Sequence, residues 1–317
     1  LGNNGEERLL KLKENTMTAV LQIVKNATVH ADGVLSGEIG RGLYILLGVE
    51  NGDCERDALL LAEKIAKLRI FSDDNGKMNL GNIDRLCRSI SDLMNRGKEV
   101  LLVSSGAIGV GIGYLDLKER PTTTREKQAI ASVGQCELMN AYARSFSEYS
   151  YRCGQILLTK DGITDKLTRA NVTNTIETLL EMRIIPVINE NDSVSTTEIM
   201  HNGTFGDNDT LSADVAVLAN ADLLVILSDV DGLYDSNPRE NPDAERISYV
   251  DKVTDDMLNF TAGKGSWLGT GGMATKITAM SKVTENGIMG VIADGAGIQV
   301  LEKIIDQDDV GTFFAAQ

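Results

Sequence analysis

Acid and amide side chains gather where apolar runs stop. Ile184–Ile188 leads into Asn189-Glu190-Asn191-Asp192, and Leu223–Leu227 leads into Ser228-Asp229. Between them stands Gly206-Asp207-Asn208-Asp209. Carboxylates beside amides suit a ligand that presents an ammonium group and carboxylates of its own: the charge answers the first, and amide N–H groups answer the second. Asn and Asp are also ordinary turn-formers, but two such clusters at successive edges point to a site. Asp209 reads in two ways, as a plain N-cap or as an acid that orients nearby lysines at a helix start.

Two further stretches suit anions. Val103-Ser104-Ser105-Gly106-Ala107-Ile108 reads as a strand entering a turn of small residues. Ser105, Gly106 and Ala107 there leave backbone N–H groups open to a bound anion, although small residues also occur where a helix packs close on a sheet. In Gly263–Lys276, GKGSWLGTGGMATK, residues Gly269, Gly271 and Gly272 permit a backbone nest for phosphate. Lys276 falls in the first turn of the helix that follows. No Gly-Lys-Ser/Thr stands at the spacing of a Walker A loop. His30 and His201 are isolated, so no Ser/His/Asp or Cys/His arrangement can be built on them.

These residues need a frame. Uninterrupted apolar strands around a helix, with Leu211, Val215 and Leu218 on one helical face, are the mark of a parallel sheet covered on both sides. In such sheets ligands sit beyond the carboxyl ends of the strands. Upstream, Asn82 is a candidate cap for a helix that buries Ile83, Leu86, Ile90 and Leu93 and stops at Gly97. A strand at Val100–Val103, a long helix after Arg125, a strand at Gln155–Leu158 and a helix over about Thr168–Met182 complete the α/β alternation. A helix with Ile277, Met280 and Val283 buried follows the glycine loop and ends at Gly287. Residues 18–50 read differently, as a small antiparallel meander broken at Asp32-Gly33 and Gly40-Arg41-Gly42, with a helix from about Arg56 to Leu68. Leu1–Thr16 is polar and reads as no element.

Across 317 residues the formal charge is −15, which argues against a broad nucleic-acid footprint. The 42% hydrophobic and 4% aromatic content implies an aliphatic core. Cys54, Cys87, Cys136 and Cys153 show no CxxC spacing and read as buried thiols of a reducing compartment. No apolar run reaches membrane-spanning length, so the expectation is a cytoplasmic protein without a membrane partner.

Taken in order, SSGAI, IIPVINEND, GDNDTLSA, LSDVDGLY and GTGGMATK resemble the glutamate 5-kinases of the amino-acid kinase family, over residues 81 to about 315. The resemblance implies a three-layer αβα sandwich around a mainly parallel sheet, and phosphorylation of the γ-carboxylate of L-glutamate by ATP with Mg2+. It places Ser105, Gly106, Ala107, Asp192, Asp207 and Asn208 on glutamate. Ser228, Asp229, Thr270, Gly271, Gly272, Met273, Ala274, Thr275 and Lys276 would hold the nucleotide. Lys276 would also neutralise charge on the transferring phosphoryl group, with Asp209 positioning lysines. No all-protein metal cage is expected, since Mg2+ rides mostly on phosphate oxygens. Feedback inhibition by proline and a homo-oligomer are implied as well.

Residues 17–80 resemble a second family, the opening half of the D-aminoacyl-tRNA deacylases, through SGEIGRGLYILLGVENGD and AEKIAKLRIFSDDNGKMNL. That family's Ser-Gln-Phe-Thr and Gly-Pro motifs are absent from the sequence. The organisation expected is therefore a polar segment at 1–16, a deacylase-like half-domain at 17–80 and a kinase domain at 81–317. The kinase family's opening strand, ending Lys-x-Gly-Ser/Thr-Ser, has no counterpart, and Lys25 is the one strand-borne lysine offered in its place. Three rivals stay open: a kinase of acetylglutamate or aspartate, a binding protein without turnover, and a tRNA-editing module.

Overall fold

The computed structural model describes residues 78–117, 119–194, 208–236, 241, 243–254, 257–258, 273–295 and 299–317, and the backbone of five strands between residues 7 and 48. Two compact units divide between Ile70 and Phe71.

The first unit holds β1 (Glu7–Lys11), β2 (Thr18–Val24), β3 (Ala27–Ala31), β4 (Val34–Ile39) and β5 (Gly42–Gly48). β2 pairs antiparallel with β1 on one side and β5 on the other, and β3 with β4 form a separate hairpin. The antiparallel pairing is as expected but the order is not that of a meander, since β2 pairs with β5 and not with β3. β1 is unexpected, because Arg8 and Lys11 mask an extended run whose support is cross-strand pairing. The helix expected at Arg56–Leu68 lies outside the described residues, as do Lys25 and His201.

The second unit alternates strands and helices. α1 (Leu80–Asn95) leads to β6 (Leu102–Val103), α2 (Ala107–Tyr114) and α3 (Thr124–Glu148). Then come β7 (Arg152–Leu158), α4 (Lys160–Thr164), α5 (Lys166–Glu181) and β8 (Ile184–Glu190). α6 (Asn208–Leu218) and β9 (Leu223–Ser228) follow, then short β10 (Leu233–Tyr234), β11 (Arg246–Ile247) and β12 (Tyr249–Val250). α7 (Met273–Glu285), β13 (Met289–Asp294), α8 (Val300–Ile305) and β14 (Thr312–Phe314) close the chain. β6, β8 and β7 form one parallel sheet. β9 and β13 form the parallel centre of a second, extended by β14 antiparallel to β13 and by β12 parallel to β14.

The period-two alternation of each strand assigns its faces. In the first sheet Ile185 and Val187 of β8 pack with Ile83, Ile90, Leu138 and Phe146 of α1 and α3. The alternate residue Ile188 packs with Ile156, Leu158 and Ile176 and with Leu211, Val215 and Leu218 of α6. Helices therefore cover both faces. α6 turns Ala213 and Ala216 towards the second core, where Ile277, Met280 and Val283 of α7 meet Leu224, Ile226 and Ile292. Alanines on that side let α6 lie close to α7.

Of the cysteines expected to be buried, Cys87 is, but Cys136 is exposed and Cys153 half-buried. Three further local expectations are corrected. Asn79, not Asn82, caps α1: its side chain accepts from Asn82 N–H, so the helix starts one turn earlier. β6 is two residues long rather than four. Asp209 is not an N-cap, because α6 already begins at Asn208 and its carboxylate turns away to other partners. At α3, Thr123 and Glu126 form a reciprocal capping box, a strong start signal that the sequence reading passed over.

Candidate active site

The carboxyl ends of the parallel strands carry the polar residues picked out above. β6 runs into Ser104, whose N–H donates to Ile188 C=O at 2.8 Å and so seats the Ser104–Ala107 turn beside the end of β8. Gly106 takes φ 91°, a left-handed conformation that glycine adopts without the steric cost other residues carry, and it caps α2. α2 is pressed onto α3: a Cβ on Gly134 would stand 1.8 Å from Ala107 C=O, so only a glycine lets the first turn of α2 rest there. Ser105 and Gly106 are exposed while Ala107 is buried. Ser104 Oγ and Tyr142 OH share a buried hydrogen bond of 3.0 Å, and burial pushes the Tyr142 phenol up from its ordinary pKa.

β8 delivers Asn189 and Glu190 into buried positions and Asn191 and Asp192 into half-buried ones. Asn191 N–H donates to Leu158 C=O at 2.7 Å, and Ser193 Oγ–H to Asn191 Oδ1 at 2.5 Å, so the backbone beyond the strand is held. Burial, with the charge of Glu190 adding to it, pushes the Asp192 carboxyl up to about 6. Such a carboxylate gains when a cation arrives, because the charged form is held at a cost until paired. Asn208 Oδ1 is buried with no hydrogen-bond partner among the described residues.

Asp209 has a different setting. Its Oδ2 accepts from Lys276 Nζ at 2.9 Å and from Thr275 Oγ at 2.7 Å, with both charged side chains largely buried. Lys276 completes the first turn of α7, after Met273, Ala274 and Thr275, so its ammonium stands where the N-terminal end of that helix carries positive potential. A second ion pair, Lys282 with Asp214, joins the same two helices further along. On β9, Ser228 Oγ–H donates to Asp229 Oδ1 at 3.1 Å, and Ser228 stands in register with Asp294 of β13. Asp207, Thr270, Gly271 and Gly272 lie outside the described residues.

The structure thus brings Ser105, Gly106 and Ala107 beside the Asn189–Asp192 cluster, and Asp209 onto Thr275 and Lys276. Sequence reading missed Gln135, which accepts from Asn189 Nδ2 at 2.8 Å across 54 residues, and the Lys282–Asp214 pair. Neither leaves a local motif. The signal available was a buried-face position on α3 filled by an amide.

An α/β unit with acid–amide groups at the strand ends, and a lysine held by an aspartate at a helix start, is of a class that handles anionic groups beside an ammonium. The description "Amino acid kinase family" matches residues 69–294. A glutamate 5-kinase of Clostridium perfringens is 50% identical over 244 residues, 77% of this chain and 91% of that protein. The glutamate 5-kinase of Enterococcus faecalis is 49% identical over 76% of this chain and 89% of its own length. The chain belongs to the amino acid kinase family. In fold it is similar to carbamate kinase from Giardia lamblia bound to AMP-PNP, with TM-score 0.55 and 14% identity, covering 79% of this chain and 95% of that one. A second description, "D-Tyr-tRNA(Tyr) deacylase", matches residues 20–108 and overlaps the first from residue 69.

Proposed function

We propose that the chain transfers the γ-phosphoryl group of ATP to the γ-carboxylate of L-glutamate, as the first step of proline biosynthesis. The observation that carries this reading is the seating of Lys276 on Asp209 and Thr275 at the start of α7. A carboxylate oxygen of glutamate attacks the γ-phosphorus, the bond from that phosphorus to the β–γ bridging oxygen breaks, and ADP leaves. No proton need be removed, since the attacking carboxylate is already ionised, so the protein's task is alignment and charge stabilisation.

Asp192 takes the glutamate ammonium, and Asn208 with Asp207 takes its polar edge. The N–H groups at Ser105, Gly106 and Ala107 take a carboxylate. Ser228 and Asp229 lie along the nucleotide, and Thr270, Gly271, Gly272, Met273, Ala274, Thr275 and Lys276 wrap its phosphates. Mg2+ would be held chiefly by phosphate oxygens of the nucleotide. When bound, Mg2+ offsets charge on the β- and γ-phosphates.

In this reading residues 17–80 are a deacylase-like half-domain that lacks its catalytic motifs, residues 81–317 are the kinase, the protein is a homo-oligomer, and proline is its inhibitor. The family's first-strand lysine has no sequence counterpart, so Lys276 is the cation assigned to the transferring group. Incubating the protein with ATP, Mg2+ and each of glutamate, acetylglutamate and aspartate, then trapping acyl phosphate with hydroxylamine, tests the assignment. Glutamate should give hydroxamate well above the others; preference for either rival substrate contradicts it.

A further inference from the structure

Gln135 sits on α3 next to Gly134, the residue on which the first turn of α2 rests, and is only 8% exposed. Its partner in space is Asn189, the residue that opens the acid–amide cluster of β8. Asn189 Oδ1 accepts from Glu190 N–H at 2.9 Å. That bond fixes the amide, because Nδ2 must then be the end turned towards α3. Gln135 answers with its oxygen, at 2.8 Å. The geometry leaves Gln135 Nε2 buried without a partner among the described residues.

An orphaned buried donor is costly, and an apolar side chain of the same length would avoid it, so packing does not explain the glutamine. A glutamate would offer the same oxygen but bring another carboxylate towards Glu190 and Asp192. A neutral acceptor of this reach is what α3 needs, and glutamine supplies it.

We infer that Gln135 is a positioning residue for the amino-acid substrate, acting through Asn189. It holds the amide at the head of the Asn189–Asp192 cluster. It also ties that cluster to α3, the helix on which the first turn of α2 rests after the Ser104–Ala107 turn, so the two sides of the substrate pocket keep one register. The inference rests on the reading of this pocket as the glutamate site, and it adds a residue from an element that the reading leaves out.

Calorimetric titration of the full chain with L-glutamate, and separately with AMP-PNP, tests it on the unaltered protein, Gln135→Met, Asn189→Ala and the double variant. Methionine matches glutamine in length and suits a helix. Gln135→Met should weaken glutamate by roughly tenfold and leave AMP-PNP within about twofold. The double variant should bind glutamate no worse than Asn189→Ala, since two steps of one chain are not additive. Should the methionine variant fail to bind AMP-PNP, Gln135→Ala carries the same test. Equal weakening of both ligands in both Gln135 variants would make the residue merely structural and overturn the inference, as would a double variant equal to the product of the singles. Absence of glutamate binding by the unaltered protein would overturn the pocket reading itself. Normal binding there with an unaffected Gln135→Met would overturn this inference alone.

Discussion

The proposed phosphate end and the proposed amino-acid end of the site are built differently. At the first, Lys276, Thr275 and Asp209 meet on one carboxylate oxygen before any ligand is present, and the charges offset one another. At the second, Asp192 is held with its carboxyl pushed up to about 6, and Asn208 Oδ1 and Gln135 Nε2 lack partners among the described residues. One end is preorganised, so little rearrangement is needed when charge develops in phosphoryl transfer. The other keeps unsatisfied polarity in reserve, which the proposed substrate would satisfy. Discrimination follows from that second arrangement, because a ligand lacking the matching group leaves buried polar atoms unpaired.

Breaking the preorganised end should cost most. Asp209→Ala strands the Lys276 ammonium, whose side chain is 14% exposed, and removes the group that aims it. Loss of one partner of such a pair should lower stability by about 3 kcal/mol, seen as a drop in melting temperature, together with loss of turnover. Lys276→Ala removes the cation itself and leaves a largely buried aspartate without it. Its kcat should fall by about 10²–10³-fold, with glutamate affinity in calorimetry nearly unchanged.

The amino-acid end should answer to pH. The Asp192 carboxyl is raised from the ordinary 3.8 to about 6, so the folded state favours its neutral form. Ionisation then destabilises the unliganded fold as pH rises from about 4 to 6, while glutamate binding needs the ionised form and weakens as pH falls through about 6. Asp192→Asn should flatten both profiles: it should raise the melting temperature above pH 6 and weaken glutamate at pH 7.5. A glutamate affinity that stays constant from pH 5 to 8 in the unaltered protein would break the assignment of Asp192 to the ammonium.

The Lys282–Asp214 pair should matter least. Lys282 is 41% exposed, so the pair is screened, and Lys282→Ala should cost no more than about 1 kcal/mol. A kcat within about threefold of the unaltered protein would show that the α6–α7 contact is set by Ala213, Ala216 and Met280 rather than by this bridge.

What could be read in the sequence is what local pattern encodes. β8 and β9 are uninterrupted apolar runs, and the faces of α6 and α7 repeat at helical spacing, so their type and their buried residues are legible. Asp209 is half legible. Its place at the head of a helix is written locally, but its partners stand 66 and 67 residues away, so whether it caps or clamps is decided by packing. Asn79 against Asn82 is a case of two adequate caps three residues apart, settled by which side chain turns back to the helix. β1 escapes because its pattern is charged and its support comes from β2. Gln135 escapes because nothing near it in sequence shows that an amide of β8 lies opposite.

The most direct test is ADP release by the purified chain with Mg2+ and ATP, with and without L-glutamate, for the unaltered protein and for Lys276→Ala. Release should depend on glutamate and fall by about 10²–10³-fold with the substitution. Release that ignores glutamate, or that keeps its rate after loss of Lys276, would contradict the kinase reading, as would no release from a protein that binds both substrates.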